Sequence, residues 1–181
     1  MAAFTRQALQ HTLLTLLRST PLNKITVKLL TDTCGVSRNT FYYHYADIAD
    51  LLRDTLHSEL QKISGERAQS DPAWRARRLL TYLSDNQIIF DRIYRSTYRP
   101  QLEADLLGAA RDVALAGILS LSDGKLSADH QEAIATFFAS GLLSLCMQWL
   151  RDSETTSVDT LLERLALFDG LMEIAVSRAK N

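Results

Sequence analysis

Apolar residues recur every three or four positions through most of this chain, the spacing of helices packed on one face. From Thr5 to Ser19, the positions Ala8, Leu9, Leu13, Leu16 and Leu17 share a face and predict a first helix. The run Thr20-Pro21-Leu22-Asn23-Lys24 interrupts it. Thr26 then stands as an N-cap, and a second helix is expected over Val27 to Cys34 with Val27 and Leu30 inward. Gly35 ends that helix, because the tight turn needs a residue that tolerates positive φ. Ser37 caps a third helix, in which Phe41 is the natural core anchor and Tyr45, four residues on, faces the same way.

Asp47 is placed to cap a fourth helix reaching about Ile63, with a stripe of Leu51, Leu52, Leu56, Leu60 and Ile63. A polar linker runs from Ser64-Gly65 to Ser70-Asp71-Pro72, and Pro72 suits the first turn of a fifth helix, about Ala73 to Leu83. A sixth is expected around Gln87 to Ser96 and a seventh from Pro100 to Leu121. Ser122-Asp123-Gly124-Lys125 reads as a turn, and Ser127 caps an eighth helix to about Arg151. After polar residues 152–157, a ninth helix is expected from Val158 to Arg178. The pattern thus predicts an all-α fold of about nine helices. A three-helix head over residues 1–46 precedes a helical bundle over residues 47–181.

Composition agrees with that pattern. Hydrophobic residues make up 46% of the 181, enough to bury a core, and only 7 Gly and 3 Pro are available for loops. Net charge is −1, yet residues 1–45 carry +4, which leaves −5 on the rest. A basic end on an acidic body fits a nucleic-acid head on a non-nucleic-acid module, although a window this short can also be uneven by chance. Cys34 and Cys146 lie far apart on helical apolar faces and are expected as buried free thiols. Neither they nor the scattered His residues have metal-ligand spacing, so no metal or cofactor is called for. The run Leu13-Leu14-Thr15-Leu16-Leu17 is too short to span a bilayer, and no signal peptide is seen. The expectation is a cytoplasmic protein without membrane contact.

The third helix changes the picture most. Arg38, Asn39, Thr40, Tyr42, Tyr43 and His44 crowd hydrogen-bonding groups into seven residues, just after a short helix and a glycine turn. That is the arrangement of a helix-turn-helix, whose second helix enters the major groove. Arg38, Asn39 and Tyr42 are the candidates for base edges, since Arg pairs with guanine and Asn with adenine in bidentate geometry. Each of these side chains also has a plain structural use. Tyr42 or Tyr43 can be core, Thr40 can bond within its helix, and His44 can be solvated.

Residues 24–52, KITVKLLTDTCGVSRNTFYYHYADIADLL, resemble the DNA-binding signature of TetR-family (tetracycline-repressor-like) transcriptional regulators. The likeness covers about residues 5–60. Residues 137–165, FFASGLLSLCMQWLRDSETTSVDTLLERL, are similar to the C-terminal helices of a subgroup resembling the dihydroxyacetone-kinase regulator. The resemblance implies a homodimer on a palindromic operator in double-stranded DNA, usually a repressor that releases DNA when a small-molecule effector binds. In that subgroup some members answer to a protein partner instead. It also implies that Thr26, Thr40, Tyr43 and His44 hold phosphates, with the cap Ser37 beside them and Lys28 one turn into the second helix. One departure stands out: the family commonly has Lys just after the fourth cap, and this chain has Ile48.

For the body, the last two helices are apolar enough to pair subunits. Phe137, Gly141, Leu142, Leu145 and Trp149, with Leu161, Leu165, Phe168 and Met172, are the candidate interface, and sequence does not separate them from the chain's own core. Ser140, Gly141 and Ser144 would permit close approach. His57, Trp74, Tyr82, Phe90, Tyr94 and Met147 are candidate walls of an effector pocket, each having an apolar body or polar tip. No nucleophile–base pair, glycine-rich phosphate loop or metal-ligand spacing supports an enzyme.

Overall fold

The computed structural model describes residues 2–63, 72–151, 157–166 and 170–180. Ten α-helices and one short 3-10 turn, Leu22–Lys24, are found among them, with no strand. The chain divides into two compact units. Met1–Glu59 with Asn86–Leu102 form the first, and Leu60–Asp85 with Glu103–Asn181 form the second.

In the first unit, α1 (Ala2–Ser19) buries Leu9, Leu13 and Leu17, the i, i+4, i+8 face of its heptad-like stripe. It packs on α2 (Val27–Cys34) and on α6 (Gln87–Tyr94), which turns Ile89, Phe90 and Ile93 inward. Arg18 Nη2 donates to Asn86 Oδ1 at 3.0 Å and ties the end of α1 to the start of α6. α3 (Arg38–His44) and α4 (Ile48–Ile63) follow. Thr26 Oγ1 accepts from Leu29 N at 3.1 Å, and Asp47 Oδ1 accepts from Asp50 N at 2.8 Å, so both predicted caps form. Leu30 is fully buried, while Val27 is half-buried. The unit therefore joins the three-helix head to most of α4 and to α6, a non-contiguous piece that local periodicity does not reveal.

The second unit holds α5 (Pro72–Asp85), most of α7 (Arg99–Ser122), α8 (Ala128–Arg151), α9 (Val158–Ala166) and α10 (Leu171–Lys180). Ala114, Ile118, Leu126, Ala135 and Val176 form its buried cluster, with Phe138 and Met172 packed at the margin. The expected ninth helix is two helices. Gly170 sits at φ 82°, in the left-handed region, and a right-handed helix cannot run through that conformation. α8 is long and apolar enough to cross a membrane by length and composition. Here Ala135, Ala139, Leu142, Cys146 and Trp149 turn one of its faces into the unit's interior, which is the behaviour of a core helix.

Candidate DNA-binding site

Gly35 begins the site. It lies at φ 75° with its N–H bonded to Thr31 O at 2.9 Å, and it turns the chain from α2 into α3. Ser37 Oγ accepts from Thr40 N at 3.0 Å and caps α3. Phe41 is fully buried and Tyr45 nearly so, so the i, i+4 pair expected as anchors is the face that fixes α3 to the unit. The rings of Phe41 and Tyr45 lie 6.0 Å apart.

The opposite face is open. Arg38 and Asn39 are exposed, Tyr42 is 58% exposed, and Tyr43 is 82% exposed. Two exposed tyrosines on one short helix are unusual for a surface with no partner, because their rings remain in water. Tyr42 packs edge-on against Phe41, with centroids 5.4 Å apart, and Tyr43 packs edge-on against half-buried His44 at 5.0 Å. These contacts hold the rings without covering their hydroxyls.

The polar groups around α3 are ordered in a way that suits an anion. Thr40 Oγ1 lies 2.8 Å from Ser37 Oγ. With Ser37 already accepting from the Thr40 amide, its own proton can point to Thr40 Oγ1, which leaves the Thr40 hydroxyl proton to be donated outward. Thr26 is exposed at the N-terminus of α2, and its hydroxyl, occupied as an acceptor, likewise keeps a proton to donate. Lys28 Nζ pairs with Asp32 Oδ2 at 2.6 Å, but both side chains are more than half exposed, and such a pair yields readily to a competing phosphate. Ile48, standing where the family commonly has Lys, is half-buried.

Behind the open face lies a polar junction that periodicity did not predict. Asp54 on α4 accepts from Arg6 Nη2 at 2.7 Å, Gln10 Nε2 at 2.8 Å and Tyr45 OH at 2.6 Å. Burial pushes the Asp54 carboxyl up, but hydrogen bonds from Arg6 and Tyr45 outweigh it and hold the carboxyl below its usual range. Burial, then the bond to Asp54, raise the Tyr45 phenol to about 12, so it stays a donor. Arg6, bonded to Asp54, is held more firmly protonated. The carboxylate thus links α1, the end of α3 and α4, and sets how α3 stands. Its three partners lie 48, 44 and 9 residues from it in the chain, and only the apolar stripe of α4 hinted that a neighbouring acid would face inward.

A family model described as the C-terminal region of transcriptional regulators, of the TetR kind, matches residues 75–168, just over half of the chain. The chain is a TetR-family transcriptional regulator. The family is regulatory and not enzymatic, and its members bind DNA. Among solved structures, the regulator is similar to one described as the dihydroxyacetone kinase operon activator DhaS, at a TM-score of 0.75 and 16% identity over 97% of this chain and 96% of that one. It is also similar to a fatty acid degradation regulator FadR from Bacillus halodurans, at a TM-score of 0.63 and 11% identity over 91% and 93% of the two chains. A putative TetR-family regulator from Rhodococcus sp. gives a TM-score of 0.58 and 16% identity over 98% and 99%. These likenesses show the fold. No curated protein sequence matches the chain.

The body residues, which sequence does not separate, divide between the chain's own interior and its surface. Leu142, Trp149 and Leu161 are buried in the chain's own interior, and Leu145 and Met172 are half-buried. Phe137, 72% exposed, and Gly141 remain open. The Leu165 side chain and Phe168 fall outside the described residues, as does the Trp74 side chain. Of the pocket candidates, His57 is exposed, Phe90 is buried core, and Tyr94 lies under the Arg99 guanidinium at 4.3 Å, all in the first unit. Tyr82 and Met147, both half-buried, belong to the second unit, so the described candidates divide between the two units.

Proposed function

We propose that the regulator acts as a homodimer on a palindromic operator, with residues 1–46 as the DNA-contacting head and residues 47–181 as the effector and pairing body. The observation that carries this reading is the split of α3 into a buried face, Phe41 and Tyr45, and an exposed face rich in donors. Arg38, Asn39 and Tyr42 read bases. Thr26, Lys28, Thr40, Tyr43 and His44 hold the backbone, with Ser37 ordering Thr40. Phosphate contacts supply most of the affinity, and base contacts the specificity.

A single short helix covers one half-site, so two heads about 34–36 Å apart, or a multiple of that, are needed. The pairing surface is built on α8 and α10, which pack together. Phe137, Leu171 and Ile174 are exposed on them, and the exposed Ser140, Gly141 and Ser144 allow close approach. The sign is repression relieved by a small-molecule effector, acting in the cytoplasm where the operator is. A second reading, control by a protein partner, is favoured by Leu107 and Leu119, exposed on α7. The similar structure described as an operon activator keeps activation within that second reading.

Selection of bound sequences from random DNA tests the main reading. A palindrome with two half-sites is expected. Arg38→Ala and Asn39→Ala should then relax the choice at one position each, by about 1–3 kcal/mol, whereas His44→Ala should weaken all sequences alike. Phe137→Glu should give a monomer by light scattering. Recovery of no preferred sequence, or unchanged affinity in all three head variants, sinks the reading.

A further inference from the structure

A recess of about 550 Å³ opens in the first unit between the α1–α2 connection, the first turn of α4 and the turn from α6 into α7. None of the α3 side chains assigned to DNA lines it, and none of the pocket candidates does. One part of its wall is apolar, from Leu22, Ile25, Ile48 and Ala49. The rest is polar and basic, with Arg92, Arg95 and Thr97, and no carboxylate lines it. Arg95 Nε is already engaged by Asp91 Oδ1 at 2.7 Å. Arg92 Nη1 is buried and has no hydrogen-bond partner among the described residues.

A buried guanidinium N–H without an acceptor is costly; Arg92 Nη1 gains one in the recess by a small shift of its flexible side chain, and the strongest acceptor for it is an anionic oxygen. The volume lies within the ordinary range of small-molecule sites, about 300–1,000 Å³. An apolar wall beside a cationic donor favours a ligand with one charged end and an apolar body. We infer that this recess binds a small organic anion, a carboxylate or a phosphate ester, with its charged group on Arg92 and its body against Leu22, Ile25 and Ile48. The recess lies wholly in the unit that carries the head, and it is lined by other residues than the effector-pocket candidates named above. Ile48 opens α4 three residues after Tyr45, the C-cap of α3, so the occupant touches the segment that holds the recognition helix. Ile48 then has a use that the family's lysine would not serve, since its side chain forms part of the apolar wall.

Calorimetric titration of the full chain without DNA tests the site independently of operator binding. The probes are benzoate, phenyl phosphate, neutral benzyl alcohol and inorganic phosphate. Benzoate or phenyl phosphate should bind once per chain, and the tighter of the two identifies the anion class. Benzyl alcohol and inorganic phosphate should each bind about tenfold more weakly or worse, because each lacks one half of the match. Arg92→Gln should cost about tenfold or more, and Ala49→Phe, which fills the apolar side, should abolish binding. Circular dichroism melts establish that both variants fold, and the probe comparison on the unaltered chain stands without them. Absence of binding by either organic anion at millimolar concentration overturns the inference. So does binding unchanged in both variants, or inorganic phosphate binding as tightly as phenyl phosphate. Loss of operator affinity in Arg92→Gln with no anion binding overturns it too, since Arg92 would then serve the DNA backbone.

Discussion

Replacing Asp54 by Ala removes the one acceptor shared by Arg6, Gln10 and Tyr45. The three donors do not suffer equally. Tyr45 is only 4% exposed, so its hydroxyl is left without a partner away from water, at a cost of about 1–3 kcal/mol. Arg6 is half exposed and Gln10 part-buried, so both regain water, and each loss is about 0–1 kcal/mol. The expected total is about 1–5 kcal/mol. Tyr45→Phe provides the control, because it removes one bond of the three while Asp54 keeps Arg6 and Gln10, and it should cost about 0.5–1.5 kcal/mol. Urea unfolding followed by far-ultraviolet circular dichroism gives the stabilities, and amide exchange in α3 shows where the loss falls. Asp54→Ala should speed exchange in α3 and weaken operator binding without changing the preferred sequence, since none of the base-reading candidates is touched. A variant within about 0.5 kcal/mol of the unaltered chain, or Tyr45→Phe costing as much as Asp54→Ala, refutes the role of Asp54 as the shared tie.

The same carboxylate sets an acid limit. Its folded value lies below the unfolded one, so its stabilisation is complete above about pH 4 and is lost as pH falls through the lower folded value. Acid titration of stability should therefore show a shallower slope below that pH in Asp54→Asn than in the unaltered chain. Gly35→Ala should cost about 1–2 kcal/mol through backbone strain alone, since φ is 75° and nothing lies within 4 Å of the added Cβ; a thermal melt that does not move would contradict this. Burial pushes the Cys146 thiol up to about 12, so at neutral pH it should resist iodoacetamide until the protein unfolds, while half-buried Cys34 is labelled first, as mass spectrometry of the peptides would show.

Much of the head was legible along the chain. Thr26, Gly35, Ser37 and Asp47 mark helix ends by chemistry that acts within three or four residues, and each cap or turn formed where expected. Phe41 and Tyr45 were separable from Tyr42 and Tyr43 because one turn of helix fixes which residues share a face. The last helices were less legible. Leu142, Trp149 and Leu161 look like Phe137 in an apolar pattern, yet three are buried and one is exposed. A helix that is apolar on more than one side gives periodicity nothing to distinguish. The split at Gly170 was missed because a glycine within an apolar run is compatible with a continuing helix, and only its φ shows otherwise.

What the sequence determined by itself is therefore local: helix limits, caps, the turn before α3, and the donors that α3 presents. These depend on neighbours a few residues away, and the helical repeat places them. The tertiary structure decided the rest. It brought Arg6, Gln10 and Tyr45 to Asp54 across as many as 48 residues, and it set Arg92 beside Ile48 in one recess. It also chose which side of α8 to bury. Such pairings depend on how helices are rotated and stacked on one another. That outcome is a balance of many weak contacts between distant segments, and no local pattern carries it.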